Sequence, residues 1–120
     1  MPEAKTAAQL VAEAKASVPT CTPAEAAKRL AADPKLVLVD IREPAEYAQG
    51  QLSRAAPVPR GVLEFQIEKL APDRGQPILV HCAGGGRAAL AARSLAELGY
   101  ENAGAVIGPF EELKRAVEGG

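Results

Sequence analysis

Two uninterrupted apolar runs, Leu36-Val37-Leu38-Val39 and Pro77-Ile78-Leu79-Val80, limit what this chain can become. Neither alternates inward and outward residues, which is the pattern of strands buried on both faces of a parallel sheet. Parallel strands cannot be joined by a tight turn; each pair needs a crossover, usually helical. The segments between the runs supply helices. Thr22-Pro23-Ala24-Glu25 is a capping box with proline at the first helical position, predicting a helix to about Ala32 with Leu30 and Ala31 inward. Asp33-Pro34 ends it. Pro44–Gln49 suits a short helical turn closed by Gly50. Leu63, Ile67 and Leu70 mark another helix, with Glu64 and Glu68 outward. Ala88, Ala91, Leu95 and Leu98 mark a longer one that stops at Gly99, and Phe110, Leu113 and Val117 stripe the last. Val18–Cys21, Ala55–Pro59 and Ala105–Ile107 fit brief strands. The class is α/β with a mostly parallel sheet.

Residues 3–16 form an additional Ala-rich helix, with Ala7, Leu10, Val11 and Ala14 as its apolar stripe. A length of 120 residues fits one domain, 1–120, in which 1–17 is a helical extension. Basic and acidic residues nearly balance, 14 against 15, so no general polyanion-binding surface is expected. With 3 % aromatic residues and no Trp, the chain lacks the platforms of a base-stacking nucleic-acid reader. No run is long enough to span a membrane. Glu3, Lys5, Glu13 and Lys15 interrupt the first segment, unlike the apolar core of a signal peptide. Two cysteines and one His make neither a disulfide framework nor an ordinary four-ligand zinc site. The expectation is a cytoplasmic protein with reduced thiols, without metal or organic cofactor, contacting neither nucleic acid nor membrane.

Chemistry concentrates at Cys82. It ends an apolar strand and precedes a helix, the place where open α/β sheets carry their sites. Ala83, Gly84, Gly85 and Gly86 follow, so the backbone can curl and aim several N–H groups at one point. Such a nest, backed by a helix N-terminus, holds negative charge, and the charge nearest to hand is the Cys82 sulfur. The field favours the thiolate, which is the nucleophilic form. Arg87 adds a cation, and 82–93 contains Arg87 and Arg93 but no acid, so an anionic substrate is expected there. The sulfur is expected to be open to solvent.

Four blocks in order give a more specific likeness. Leu38-Val39-Asp40-Ile41-Arg42-Glu43-Pro44 with Glu46-Tyr47 and Gly50, then Pro57-Val58-Pro59-Arg60-Gly61, then Val80-His81-Cys82-Ala83-Gly84-Gly85-Gly86-Arg87, then Leu95–Asn102, together resemble the single-domain rhodaneses, a sulfurtransferase family. The likeness covers about Thr20 to Val117. It implies a three-layer α/β/α fold around a five-stranded, mostly parallel sheet, with the N-terminal helix outside the pattern. It also implies two half-reactions at Cys82. The cysteine takes the outer sulfur of a small anionic donor, thiosulfate or a persulfide or polysulfide. It then passes that sulfur to cyanide or a thiol, which can be a protein thiol. The amides of Ala83, Gly84, Gly85, Gly86 and Arg87 would cradle the persulfide. The chain departs from the family pattern at Gln51, Arg54, Pro109 and Leu113, and at Ala83, where a basic or polar residue often stands in thiosulfate users.

Several residues take supporting roles. Asp40 and Arg42 are expected to form an ion-pair network with Glu46 that fixes the neighbouring loop. Arg60 is a candidate for the pocket rim, whereas Arg54 reads as a solvated surface residue. His81 should point away from the Cys82 side chain and pack in the core. Cys21 is inert, or a resolving thiol if it lies near Cys82. Two rival functions remain at this level. Phosphatases and arsenate reductases of the same fold resemble a His-Cys pair followed by five residues and Arg; here four separate Cys82 from Arg87, a narrower cradle suited to one sulfur. A non-catalytic rhodanese-like binding module is the other.

Overall fold

The computed structural model describes residues 3–119. In chain order the elements are α1 (Ala7–Ser17), β1 (Thr20–Cys21), α2 (Pro23–Ala32), β2 (Val37–Asp40), α3 (Pro44–Tyr47), β3 (Ala56–Pro57), α4 (Leu63–Leu70), β4 (Ile78–His81), α5 (Gly86–Glu97), β5 (Ala103–Val106) and α6 (Phe110–Glu118). A 3₁₀ turn, Arg60–Val62, leads into α4.

The five strands form one sheet in the order β1-β5-β4-β2-β3, and every pairing is parallel. The two apolar runs lie side by side at its centre, Val37 opposite Ile78 through to Asp40 opposite His81. Alternation along β4 divides the core. Ile78, Val80 and Cys82 face α4 and α5 with Val39, Ile67, Ala91 and Leu95. Leu79 faces α2 and α6 with Leu38, Leu30, Phe110 and Leu113. The result is three layers, with one apolar cluster on each side of the sheet. Among the described residues, no helix is long and apolar enough to cross a membrane.

Local departures from the sequence reading have physical causes. Helix α1 starts at Ala7, later than residue 3, because Thr6 and Gln9 close a capping box there. Only the lower half of its expected stripe is covered: Ala7 and Leu10 are exposed, Val11 is half-buried and Ala14 is buried. The Ala14 face lies on α5, so α1 is a packed part of the layer. Ala31 faces solvent; the inward face of α2 is Pro23, Ala26 and Leu30. Strand β5 begins earlier than expected, at Ala103, because Ile78 and Leu79 recruit Ala103 and Gly104 into the ladder.

Candidate active site

Since all five strands run the same way, the chain segments leaving β2, β4 and β5 meet at one edge of the sheet. The segment leaving β4 is the glycine loop. Its outer carbonyls are anchored to the connection after β5: the Phe110 amide donates to the Ala83 carbonyl at 2.9 Å and the Gly108 amide to the Gly84 carbonyl at 3.1 Å. With these oxygens turned outward, loop N–H groups turn toward the cysteine. The Gly85 amide donates to Cys82 Sγ at 3.1 Å and the Ala88 amide at 3.4 Å.

The cradle is therefore narrower than the sequence suggests. Of the amides of Ala83 to Arg87 expected around sulfur, that of Gly85 reaches it, and Ala88 joins from beyond the predicted set. A sequence signal for Ala88 exists in the helix start. The first N–H groups of a helix have no carbonyl one turn back. The ladder of α5 opens with Ala89 donating to the Gly85 carbonyl at 2.9 Å, which leaves the Ala88 amide available to the sulfur. Helix α5 begins at Gly86, so Gly86 and Arg87 are its first residues and not loop.

The three glycines are not equivalent. Gly85 adopts φ +120°, and a Cβ there would lie 3.1 Å from Ile107 Cα. Gly84 has open space around its missing side chain. A Cβ at Gly86 would make ordinary contact with Val11 of α1, at 3.6 Å.

Cys82 itself is only 3 % exposed, which corrects the expectation of an open sulfur. Ala83 and Gly84 beside it are exposed, and no enclosed pocket forms among the described residues. These two residues form the exposed rim of the loop beside the sulfur.

Arg87 also departs from expectation. Its guanidinium is not free: it grips Glu46 of α3 through two hydrogen bonds, 2.6 and 2.8 Å. Arg87 holds the Glu46 carboxyl down to about 2, helped by the Glu43 backbone. Glu46 in turn raises the Arg87 pKa. The acid that balances this cation lies 41 residues upstream, out of reach of any local count.

Asp40 and Arg42 pair as expected, and the pair is buried, with Nε and Nη2 of Arg42 donating to both Asp40 oxygens at 2.8–3.2 Å. The Glu46 carboxylate is not part of that pair. Arg42 instead ties down the α3 segment through backbone oxygens, Gly50 at 2.7 Å and Glu46 at 3.5 Å. Its guanidinium carbon lies 3.7 Å from the centre of the Phe110 ring. His81 stacks on the same Phe110 ring, centroids 5.6 Å apart. The His81 ring is buried as expected, and neither ring nitrogen has a hydrogen-bond partner of ordinary geometry. Burial pushes its pKa down to about 4, with Asp40 opposing and Arg42 reinforcing the shift; the nearby Cys82 backbone opposes it only weakly.

Three further residues lie elsewhere. Arg60 pairs with Glu64 at 2.9 Å and reaches Ser94 Oγ at 3.5 Å, two turns along α5 from the glycine loop. Arg54 is not a merely solvated residue: its guanidinium donates to the carbonyls of Leu30, Asp33 and Leu36, closing the end of α2. Cys21 packs against the α2/α6 cluster, whereas Cys82 belongs to the α4/α5 cluster. The sheet separates the two thiols, so Cys21 is not placed to resolve a bond at Cys82. Burial raises the Cys21 pKa.

Comparison with known proteins adds three kinds of likeness. The profile of the rhodanese-like domain family matches residues 22–116. A sulfurtransferase of Allochromatium vinosum is 34 % identical over 73 residues, covering 61 % of this chain and 66 % of that protein. A tRNA uridine(34) hydroxylase of Erwinia tasmaniensis is 33 % identical over 87 residues, 69 % of this chain and 25 % of that one. The chain thus spans less than two thirds of the length of these two curated relatives. Among solved structures, a Rhodopseudomonas palustris protein of unknown function, described as a possible tyrosine phosphatase, superimposes with TM-score 0.84 at 28 % identity. The superposition covers 97 % of this chain and 96 % of that one. The polysulfide-sulfur transferase homodimer of Wolinella succinogenes superimposes with TM-score 0.74 at 30 % identity, over 92 % and 82 %.

Proposed function

The chain belongs to the rhodanese-like domain family, and on that premise we propose that it is a sulfurtransferase working through a persulfide on Cys82. One observation carries this reading: two backbone amides, Gly85 and Ala88, converge on Sγ at the head of α5. Preset N–H donors stabilise negative charge on sulfur at little reorganisation cost, both on the thiolate and on the persulfide that replaces it.

The chemistry is two displacements at sulfur. The Cys82 thiolate attacks the outer sulfur of the donor. A bond forms between the two sulfurs, the donor's own bond to that sulfur breaks, and the electron pair leaves with sulfite or a thiolate. Cyanide or an acceptor thiolate then attacks the outer persulfide sulfur, and the pair returns to Cys82. No electron carrier is needed. The near-complete burial of Cys82 suits a donor that offers one protruding sulfur over the Ala83–Gly84 rim.

Intact-mass measurement tests the proposal. Thiosulfate or inorganic polysulfide should add one sulfur atom to the chain, and cyanide should remove it. Cys82→Ala should abolish the adduct and Cys21→Ala should retain it. An adduct on Cys21, or none with any donor, would refute the site.

The likeness to a possible tyrosine phosphatase supports a second reading, phosphoryl or arsenate chemistry on the same fold. Two features weigh against it. Four residues separate Cys82 from Arg87, and Arg87 is engaged by a carboxylate rather than open to a tetrahedral oxyanion. Turnover of an aryl phosphate with none of a sulfur donor would reverse the ranking.

A further inference from the structure

The proposed sulfur site carries a contradiction in charge. Arg87 is the neighbouring cation expected to attract an anionic donor, yet a carboxylate already engages it. The Glu46–Arg87 pair is bidentate at 2.6 and 2.8 Å, and both side chains are about one-third exposed, 37 % and 34 %. This is a surface-rim pair and not a buried structural one; the fold has its buried pair in Asp40–Arg42.

Glu46 is held in place independently of Arg87. Its Oε1 accepts from the Glu43 amide at 2.9 Å, closing a capping box at the start of α3, and its carbonyl accepts from Arg42 at 3.5 Å. The carboxylate is thus pre-positioned by α3 and Arg42. Arg87 rises to meet it from the first turn of α5, one residue before the Ala88 donor. An anion approaching Cys82 meets a local balance of one cation and one anion instead of a free guanidinium.

We propose that Glu46 is a specificity-determining residue of the sulfur site: by neutralising Arg87 it biases the site toward donors of low charge, such as alkyl persulfides and thiosulfonates, over dianions such as thiosulfate. This inference rests on the sulfurtransferase reading. Ala83 points the same way, since it puts a methyl group on the rim where a charged side chain would assist a dianion.

The test compares two donors with the same reacting sulfur and different charge, thiosulfate (dianion) and methanethiosulfonate (monoanion), with cyanide as common acceptor. Both deliver the outer sulfur to Cys82, one releasing sulfite and the other methanesulfinate. Glu46→Gln keeps the shape and most of the hydrogen-bonding capacity but removes the charge. Its ratio of kcat/KM for thiosulfate over methanethiosulfonate should rise by about three- to tenfold, mainly through KM for thiosulfate, and the gain should shrink with added salt. Glu118→Gln, which removes one acidic charge from α6, should leave the ratio as in the natural chain. An unchanged ratio in Glu46→Gln overturns the inference. Loss of α3 would lower turnover of both donors together and is separable by the ratio and by thermal melting. If neither donor yields a Cys82 persulfide in the natural chain, the sulfurtransferase reading itself has failed.

Discussion

His81 is the residue whose surroundings are least comfortable. Its ring is buried between the Phe110 stack and the Asp40–Arg42 pair, and neither nitrogen has a partner. The neutral ring is tolerated because it stacks; the charged ring is opposed by burial and by Arg42, and Asp40, already engaged by Arg42, offsets only part of this. A pKa near 4 in the folded chain, against an ordinary value of 6.5, has a definite consequence. Between pH 6.5 and 4 the unfolded chain binds the proton and the folded chain does not, so stability is full above 6.5 and falls with decreasing pH through that window. The loss should total about 3 kcal/mol by pH 4. Urea midpoints measured across this range should fall for the natural chain and stay nearly flat for His81→Leu. The Glu46–Arg87 pair titrates lower, weakening mainly as pH drops from 4.5 toward 2. The two windows overlap only between about 4.5 and 4, and the His81 effect is read between pH 6.5 and 4.5. A natural chain equally stable at pH 6.5 and 4.5 would contradict the buried, unpartnered ring.

At the scale of elements, the glycine loop is a strap between β4 and α5, fastened to the segment after β5. Gly85 is its tight point. Alanine there would have to hold φ near +120° and press its methyl into Ile107, at 3.1 Å. The backbone strain and contact should cost about 1–3 kcal/mol. Relief by displacement would carry the Gly85 amide off sulfur. Gly84→Ala meets open space in an ordinary backbone conformation. Gly85→Ala should therefore lower the melting temperature and slow persulfide formation together, while Gly84→Ala should leave stability within about 0.5 kcal/mol. Equal effects at both positions would mean the loop does not work as a strap. The sequence showed the run of glycines but not which one is indispensable. Uninterrupted apolar runs, cap residues and period-3.6 stripes reveal elements and faces, so both central strands, the capping box at Thr22 and the Leu63–Ile67 face were legible. They do not reveal backbone φ, nor pairings between distant residues. The burden on Gly85 depends on Ile107, the closing of α2 on Arg54, and the neutralisation of Arg87 on Glu46, three long-range contacts with no local signature.

Across the whole molecule, α1 links the periphery to the site. It lies along α5 with Ala14 wholly buried, and its Val11 methyls lie 3.6 and 3.9 Å from the position a Cβ of Gly86 would take. Gly86 stands between the Gly85 and Ala88 amides that hold the sulfur. A helix of 11 residues is marginal in water on its own, so α1 owes its order to this docking. Undocking it should cost more than the helix itself, because the head of α5 loses its cover. Ala14→Asp places a carboxylate in a position with no solvent access and no expected partner, and the chain should relieve that by releasing α1. In hydrogen exchange the amides of 7–17 should lose protection, while those of β2 and β4 keep theirs. Persulfide formation at Cys82 should slow, although every residue of the loop is unchanged. Exchange in the Gly85–Ala88 segment separates the outcomes. Faster exchange there, with α1 released, means that α1 braces the site. Unchanged exchange and activity after release would show that α1 is only adjacent to it.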